Sequence, residues 1–148
     1  MLYLYDGALE VPKILEDWYA QEAKSNYGAY IPFVGTVREE DGIDGLSFDI
    51  YEPILESWFK AWQEKAQLQG AVIKMAHSRG DVMLHESSYI AAVFSPKRRV
   101  ALEFIDAFVE DFKASAPIWK YDLKGGERIY ALNRSTPIQG SGILGEQK

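Results

Sequence analysis

Two lysines on either side of a proline are the first candidates for chemistry in this chain. Lys113 and Lys120 flank a Ser-Ala-Pro break in the segment DFKASAPIWKYD, and Trp119 directly precedes the second lysine. A lysine held near apolar surface and other cations has a lowered pKa and can act as a base or a nucleophile. The alternative is a pair of surface lysines, of which Lys113 extends along the margin of a buried helix stripe.

A second group of cations stands at a predicted helix start. Ser95 is the predicted N-cap and Pro96 the predicted first helical residue, so that Lys97, Arg98 and Arg99 fill the first turn. Cations there repel the free N–H groups of the helix unless an anion binds both. The pattern therefore favours a phosphate or carboxylate pocket. The alternative is a solvated turn whose cations meet nearby acids.

Arg38 is a third candidate, at the end of the predicted strand 27–37 and the start of an acidic, glycine-rich loop. A fixed guanidinium can hold a phosphate through two parallel hydrogen bonds. The alternative is that Arg38 pairs with Glu39, Glu40 or Asp41, which follow it in the chain.

The composition narrows the classes of function. The chain has 148 residues, a net charge of -6 and no cysteine, which excludes disulfides, thiolate metal sites and cysteine nucleophiles. An acidic chain does not bind nucleic acid through bulk charge, so any anion site must be local. Neither His77 nor His85 has a metal-ligand partner at a usable spacing, and we expect both to be structural.

We find no signal peptide and no run of apolar residues that suits a membrane span, and we expect a cytoplasmic protein.

Helices and strands first alternate along the chain, and then strands gather. Apolar periodicity predicts helices over 11–25, 53–69 and 96–115, and strands over 2–5, 27–37, 46–52, 71–77 and 87–95, with a turn at Ser-Arg-Gly-Asp (78–81). A hairpin is predicted around Gly125 and Gly126. This order indicates an α+β or α/β protein in two layers. Trp58, Phe59 and Trp62 form a helical stripe that suits a core or a subunit interface.

Five segments, taken in order, resemble the large, catalytic subunit of molybdopterin synthase. They are GAYIPFVGTVR (28–38), LSFDIYEPILES (46–57), HSRGDV (77–82), FSPKRRVALEF (94–104) and FKASAPIWKYD (112–122). The resemblance runs from about residue 3 to 134, which gives a single domain over 1–134 and a flexible C-terminal tail over 135–148. It implies an α/β hammerhead-like two-layer fold, of α+β class, with an added antiparallel β subdomain.

The resemblance also implies an activity. Members of that family insert two sulfurs into cyclic pyranopterin monophosphate and so form the dithiolene of molybdopterin. The sulfur arrives as a thiocarboxylate on the C-terminal Gly-Gly of a small ubiquitin-like subunit. Two large subunits form a homodimer within a heterotetramer, and sulfur transfer requires neither a metal nor a cofactor.

The resemblance assigns roles to residues. Lys113 and Lys120 match the two active-site lysines of the family, and Arg38 matches its strand-end arginine. Arg98 matches the arginine of a His-Arg pair, and Lys97 stands where the family has the histidine. We expect Arg38, Lys97 and Arg98 to bind the substrate.

Arg134 is the nearest candidate for a tail arginine that the family directs into the partner subunit's site. Two other readings of the sequence remain open. In one, the chain is a non-catalytic module that binds a ubiquitin-like partner or a phosphorylated metabolite, which Lys97 in place of histidine favours. In the other, it is a scaffold dimer held by the stripe from Trp58 to Trp62.

Overall fold

The computed structural model describes residues 1–131 of the chain. Seven strands and three helices follow one another as β1 (Leu2–Asp6), α1 (Val11–Glu22), β2 (Ala29–Thr36), β3 (Gly45–Ile50), α2 (Glu52–Leu68), β4 (Val72–Met83), β5 (Ser87–Ser95), α3 (Arg98–Ser115), β6 (Ile118–Lys124) and β7 (Glu127–Tyr130). Arg134 and the predicted tail 135–148 lie outside the described residues.

One long strand, β4, belongs to two sheets. Its first half pairs with β5 and with β1, and β2 completes this main sheet at the outer edge of β5. Its last residues pair with β3, which begins a small antiparallel sheet that continues through β6 and β7. All pairings are antiparallel except that of β1 with β4. The predicted antiparallel subdomain is therefore the small sheet.

Helices cover both faces of the main sheet. Leu55 and Phe59 of α2 and Phe108 of α3 pack on one face, and Ile14 and Trp18 of α1 pack on the other. Every residue of β5 is buried as a result. The predicted α+β class is confirmed, and α1 adds a further layer to the two that α2, α3 and the sheet form.

The predicted turn at 78–81 is wrong. The strand β4 continues to Met83, and the chain reverses afterwards, where His85 has a φ of 71°. Gly80, with a φ of 77°, keeps its pairing with Phe48. The polar residues of this segment are typical of a turn. However, Ser78 and its neighbour Arg79 pair with β1, and this tertiary pairing overrides the local preference.

The predicted start of α3 is also wrong. The helix begins at Arg98, and Lys97 is the N-cap residue, with an extended backbone. Ser95 ends β5, is fully buried, and donates its hydroxyl to the Lys97 carbonyl at 2.5 Å instead of capping a helix N–H. Pro96 therefore lies in the connection and not in the first turn.

The hairpin around Gly125 and Gly126 is confirmed. Their φ angles of 56° and 83° are those of a two-residue hairpin turn, which non-glycine residues rarely adopt. The hairpin joins β6 to β7 and leaves β7 at the edge of the small sheet. Within residues 1–131, no helix has the length and apolarity required to cross a membrane.

Candidate active site

One cavity brings together three of the predicted site residues. Arg38, Lys113 and Lys120 line an opening of about 340 Å³ between the end of α3, the strand β6 and the loop that follows β2. The remaining wall residues are Thr36, Val37, Glu40, Ile43 and Leu46. Two regions that the sequence offered as separate cation groups therefore form a single site.

The strand β6 fixes the position of Lys120. Lys120 pairs with Phe48 of β3, and its carbonyl accepts a hydrogen bond from the Ala131 N–H at 3.1 Å. Neighbouring residues of a strand point to opposite faces, so Trp119, which is buried, packs away from the side that Lys120 presents to the cavity. The indole thereby anchors the strand beneath the lysine.

The last turn of α3 carries Lys113, whose side chain is exposed. The helix ends at Ser115, and Ala116 adopts an extended backbone before Pro117. Phe112 fastens this end to the sheet, since its ring stacks on Tyr89 with centroids 4.2 Å apart. The proline corner returns the chain to the small sheet and so places both lysines at one cavity.

Arg38 reaches the cavity from the loop after β2. The preceding residue, Val37, is buried and bonded on both sides: its N–H donates to the Glu86 carbonyl, and its carbonyl accepts from the His85 N–H. The Arg38 guanidinium is largely exposed and lies 3.8 Å from the Glu40 carboxylate. Glu40 is the one carboxylate among the described residues that line this cavity.

Lys97 and Arg98 lie at the opposite end of α3. The helix has 18 residues, which at 1.5 Å per residue separates its ends by about 27 Å. Both side chains are exposed, and neither lines the cavity. The first turn of α3 contains no acidic residue. Their role in substrate binding stays a prediction.

His77 is buried next to the site, where its contacts are those of a structural residue. Its Nδ1 donates to the Ser78 carbonyl at 2.7 Å, and its ring meets the edge of Phe48 and stacks near Phe112. Burial lowers the pKa of His77 to about 4, against the smaller opposing effect of the Ser78 hydrogen bond. No cluster of three or more His, Asp or Glu side chains suited to a metal occurs in the described part of the chain.

The tryptophan stripe of α2 packs inside the chain. Trp62 meets the rings of Phe104 and Phe108 of α3, and Trp58 meets Phe108 and Phe112. The stripe therefore belongs to the core of the chain. The hypothesis of a scaffold dimer held by this stripe is no longer supported.

Both indole N–H groups of this stripe donate to the carboxylate of Asp111. Nothing in the sequence points to this residue, because its two tryptophan partners lie on another helix.

Comparisons with known proteins agree on one family. The family model described as MoaE protein matches residues 8–115. A protein of Helicobacter pylori strain 26695, named molybdopterin synthase catalytic subunit, is 49% identical over 144 residues, which cover 97% of this chain and 99% of that protein. A second Helicobacter pylori protein of the same name, from strain J99, is 43% identical over the same shares of both chains.

Solved structures agree with these relatives. A chain in the complex of subunits 1 and 2 of molybdopterin-converting factor from Helicobacter pylori 26695 superposes with a TM-score of 0.91 at 49% identity, over 97% of this chain and 98% of that one. Molybdopterin synthase from Staphylococcus aureus shares the fold with a TM-score of 0.73 at 21% identity, over 86% and 94% of the two chains. The first relative matches this chain over nearly its full length, and the family model matches most of it. This chain therefore belongs to the MoaE protein family.

Proposed function

We propose that this chain is the catalytic subunit of a molybdopterin synthase, a sulfurtransferase of molybdenum cofactor biosynthesis. It transfers sulfur from the C-terminal thiocarboxylate of a small ubiquitin-like subunit to cyclic pyranopterin monophosphate and forms the dithiolene of molybdopterin. The observation that carries the proposal is the cavity in which Arg38, Lys113 and Lys120 meet. An acidic chain that gathers three cations around one opening is suited to an anionic substrate.

The residue types at the cavity suit this reaction. The thiocarboxylate sulfur is itself the nucleophile, so the chain requires no cysteine. What the protein must supply is orientation of two reactants, stabilisation of developing oxyanions and movement of protons. Lys113 and Lys120 take the last two roles, as acid and base groups or as electrostatic anchors of the tail carboxylate. Arg38 binds the phosphate of the precursor.

Lys97 and Arg98 are assigned to substrate binding at the other end of α3. Because about 23 Å of helix separates them from Lys113, the site is either an elongated groove or is completed by a second copy of the chain. Arg134 is assigned to the second case, as a residue that reaches the site of the partner subunit.

The proposed assembly is a homodimer within a heterotetramer that carries one small subunit at each end. A complex of two subunits from Helicobacter pylori, one of which is similar to this chain over nearly its full length, supports a partner subunit of this kind. We place the protein in the cytoplasm, where the precursor and the charged small subunit are expected to meet, and assign no cofactor to the transfer.

Reconstitution tests the proposal against a non-catalytic binding module. Pure chain is mixed with the monophosphate precursor and the thiocarboxylated small subunit, and both complex and dithiolene are measured. The proposal expects dithiolene in amounts that follow the thiocarboxylate consumed. A stable complex without dithiolene supports the binding module, which Lys97 in place of histidine favours. The same small subunit with a plain carboxylate terminus is the control and is expected to bind without product.

A further inference from the structure

We infer that Asp111 is a positioning residue for Lys113, which it serves by fastening the last turn of α3 to α2. The inference rests on the proposed role of Lys113 in the reaction. Asp111 does not line the cavity. Its influence on the reaction therefore acts through the helix turn that both residues share.

The carboxylate of Asp111 joins two helices through three hydrogen bonds. Its Oδ2 accepts from the indole nitrogens of Trp58, at 2.9 Å, and Trp62, at 2.8 Å, both on α2. Its Oδ1 accepts from the hydroxyl of Ser115, at 2.8 Å, one turn further along α3. A single side chain thus holds the final turn of α3 internally and against its neighbour.

These hydrogen bonds form in a partly buried position. Trp62 is buried, Trp58 is half-buried, and their rings pack on the phenylalanines of α3. An indole N–H buried without an acceptor is costly, so loss of the carboxylate drives both rings to seek other partners. Burial alone raises the pKa of Asp111, but the hydrogen bonds from Trp62, Ser115 and Trp58 and the charge of Lys65 together lower it, which keeps the acceptor ionised.

Lys113 depends on this turn for its direction. It is two residues beyond Asp111, and its exposed side chain has little packing of its own to hold it in place. Phe112, between them, packs its ring against Tyr89 and His77 of the main sheet and against Trp58 of α2. Ring contacts of this kind are less directional than hydrogen bonds, so the bonds from Asp111 to α2 fix the orientation of the turn and with it the direction in which the ammonium enters the cavity.

The experiment measures kcat and KM in the complete reaction, with full-length chain, thiocarboxylated small subunit and monophosphate precursor. For Asp111→Ala we expect kcat to fall by about 10- to 100-fold, the loss expected of a catalytic group displaced by about 1 Å, with KM for the small subunit unchanged. Asp111→Asn is expected to restore most of kcat, because its amide oxygen still accepts from both indoles. Trp62→Phe, which removes one donor and keeps an aromatic ring, is expected to give a smaller loss.

A matched control separates positioning from general stability. Ile14→Ala removes a buried side chain of α1 on the opposite face of the main sheet and lowers the melting temperature without approaching α3. We expect it to leave kcat unchanged at a temperature where all variants are folded. Equal losses of kcat in Ile14→Ala and Asp111→Ala at equal loss of melting temperature overturn the inference.

Lys113→Ala distinguishes this inference from the proposed function. If Lys113→Ala keeps full turnover, the role of Lys113 is refuted and the inference falls with it. If Lys113→Ala is inactive while folded Asp111→Ala retains wild-type kcat, the proposed function stands and the positioning role alone is overturned. If Asp111→Ala does not fold, kcat of Trp62→Phe is the test instead. A wild-type kcat in that variant overturns the positioning role.

Discussion

The two ends of α3 both carry cations, yet the cavity that holds Arg38 and Lys120 lies at one end of this helix. At the C-terminal end, Lys113 meets Lys120 and Arg38 because the proline corner and the loop after β2 close around it. At the N-terminal end, Lys97 and Arg98 extend from an exposed turn after β5, and their side chains remain exposed. Cations line a cavity only where segments that are distant in the chain form its walls.

The difference assigns separate tasks to the two ends. The C-terminal end has cavity walls next to its cations, which suits proton transfer and oxyanion stabilisation. The N-terminal end has exposed cations at the start of a helix, which suits the capture of a phosphate. Four predictions test this division, in order of decreasing effect.

Removal of either cavity lysine is expected to have the largest effect. Lys113→Ala and Lys120→Ala should each lower the rate of dithiolene formation by about 100-fold or more, the usual contribution of a positioned acid or base, with the melting temperature unchanged. Lys124→Ala, at the exposed end of the same strand as Lys120, is the matched control and should retain full activity. Normal turnover in both lysine variants would refute the assignment of the reacting centre.

Removal of the N-terminal cations is expected to act on binding instead. Lys97→Ala and Arg98→Ala should raise KM for the precursor by about tenfold, as for loss of one hydrogen bond to a charged group, with little change in kcat. Arg99→Ala, in the same helix turn, serves as the control and should leave KM unchanged. A fall in kcat without a rise in KM would contradict the division between the two ends.

The pH dependence of stability is expected to follow His77, which packs against Phe112 at the C-terminal end. The pKa of this residue falls from 6.5 to about 4 through burial, so the unfolded chain binds a proton that the folded chain does not. The free energy of unfolding should therefore fall as pH drops from about 6.5 to 4, by at most about 1.4 kcal/mol per pH unit, and this contribution should level off below.

Urea unfolding across this pH range measures the effect. His77→Phe should remove this part of the slope, while His85→Asn, in the exposed turn after β4, should retain it. In the same pH series, amide protection should fall more at residues 111–115 than at residues 98–102. An unchanged slope in His77→Phe would show that other groups cause it.

The smallest effect is expected from Glu40, the carboxylate inside the cationic cavity. Glu40→Gln removes a negative charge next to Arg38 and should raise affinity for inorganic phosphate by about two- to fivefold, as for loss of one exposed ion pair. The dependence of melting temperature on phosphate concentration measures it. Glu39→Gln, whose exposed side chain does not line the cavity, is the control. Equal gains in both variants would indicate a general charge effect.

Local patterns in the sequence were enough to predict the hairpin and the three helices, apart from the start of α3. The stripe of Leu55, Trp58 and Phe59 recurs with the helical period, and two adjacent glycines define the turn before β7. These signals act within a few residues, so no tertiary information is needed to read them. Lys113 and Lys120 were singled out as a pair from the residues alone, and the resemblance to a known family added their active-site role.

Non-local pairing decided what the sequence did not predict. The sequence at the end of β4 predicts a turn because Ser78 is polar and Gly80 is flexible. Only the pairing of this segment with β1 and β3 makes it a strand. The meeting of Arg38 with Lys113 depends in the same way on segments far apart in the chain. The link from Asp111 to the tryptophans of α2 has no local signature at all.

Because β4 is shared by both sheets, the small sheet is not an independent folding unit. Removing either sheet would leave the part of β4 that pairs with it without its hydrogen-bonding neighbours. We therefore expect the described part of the chain to melt in a single cooperative transition, with no partly folded state in which the helices remain and the cavity is lost.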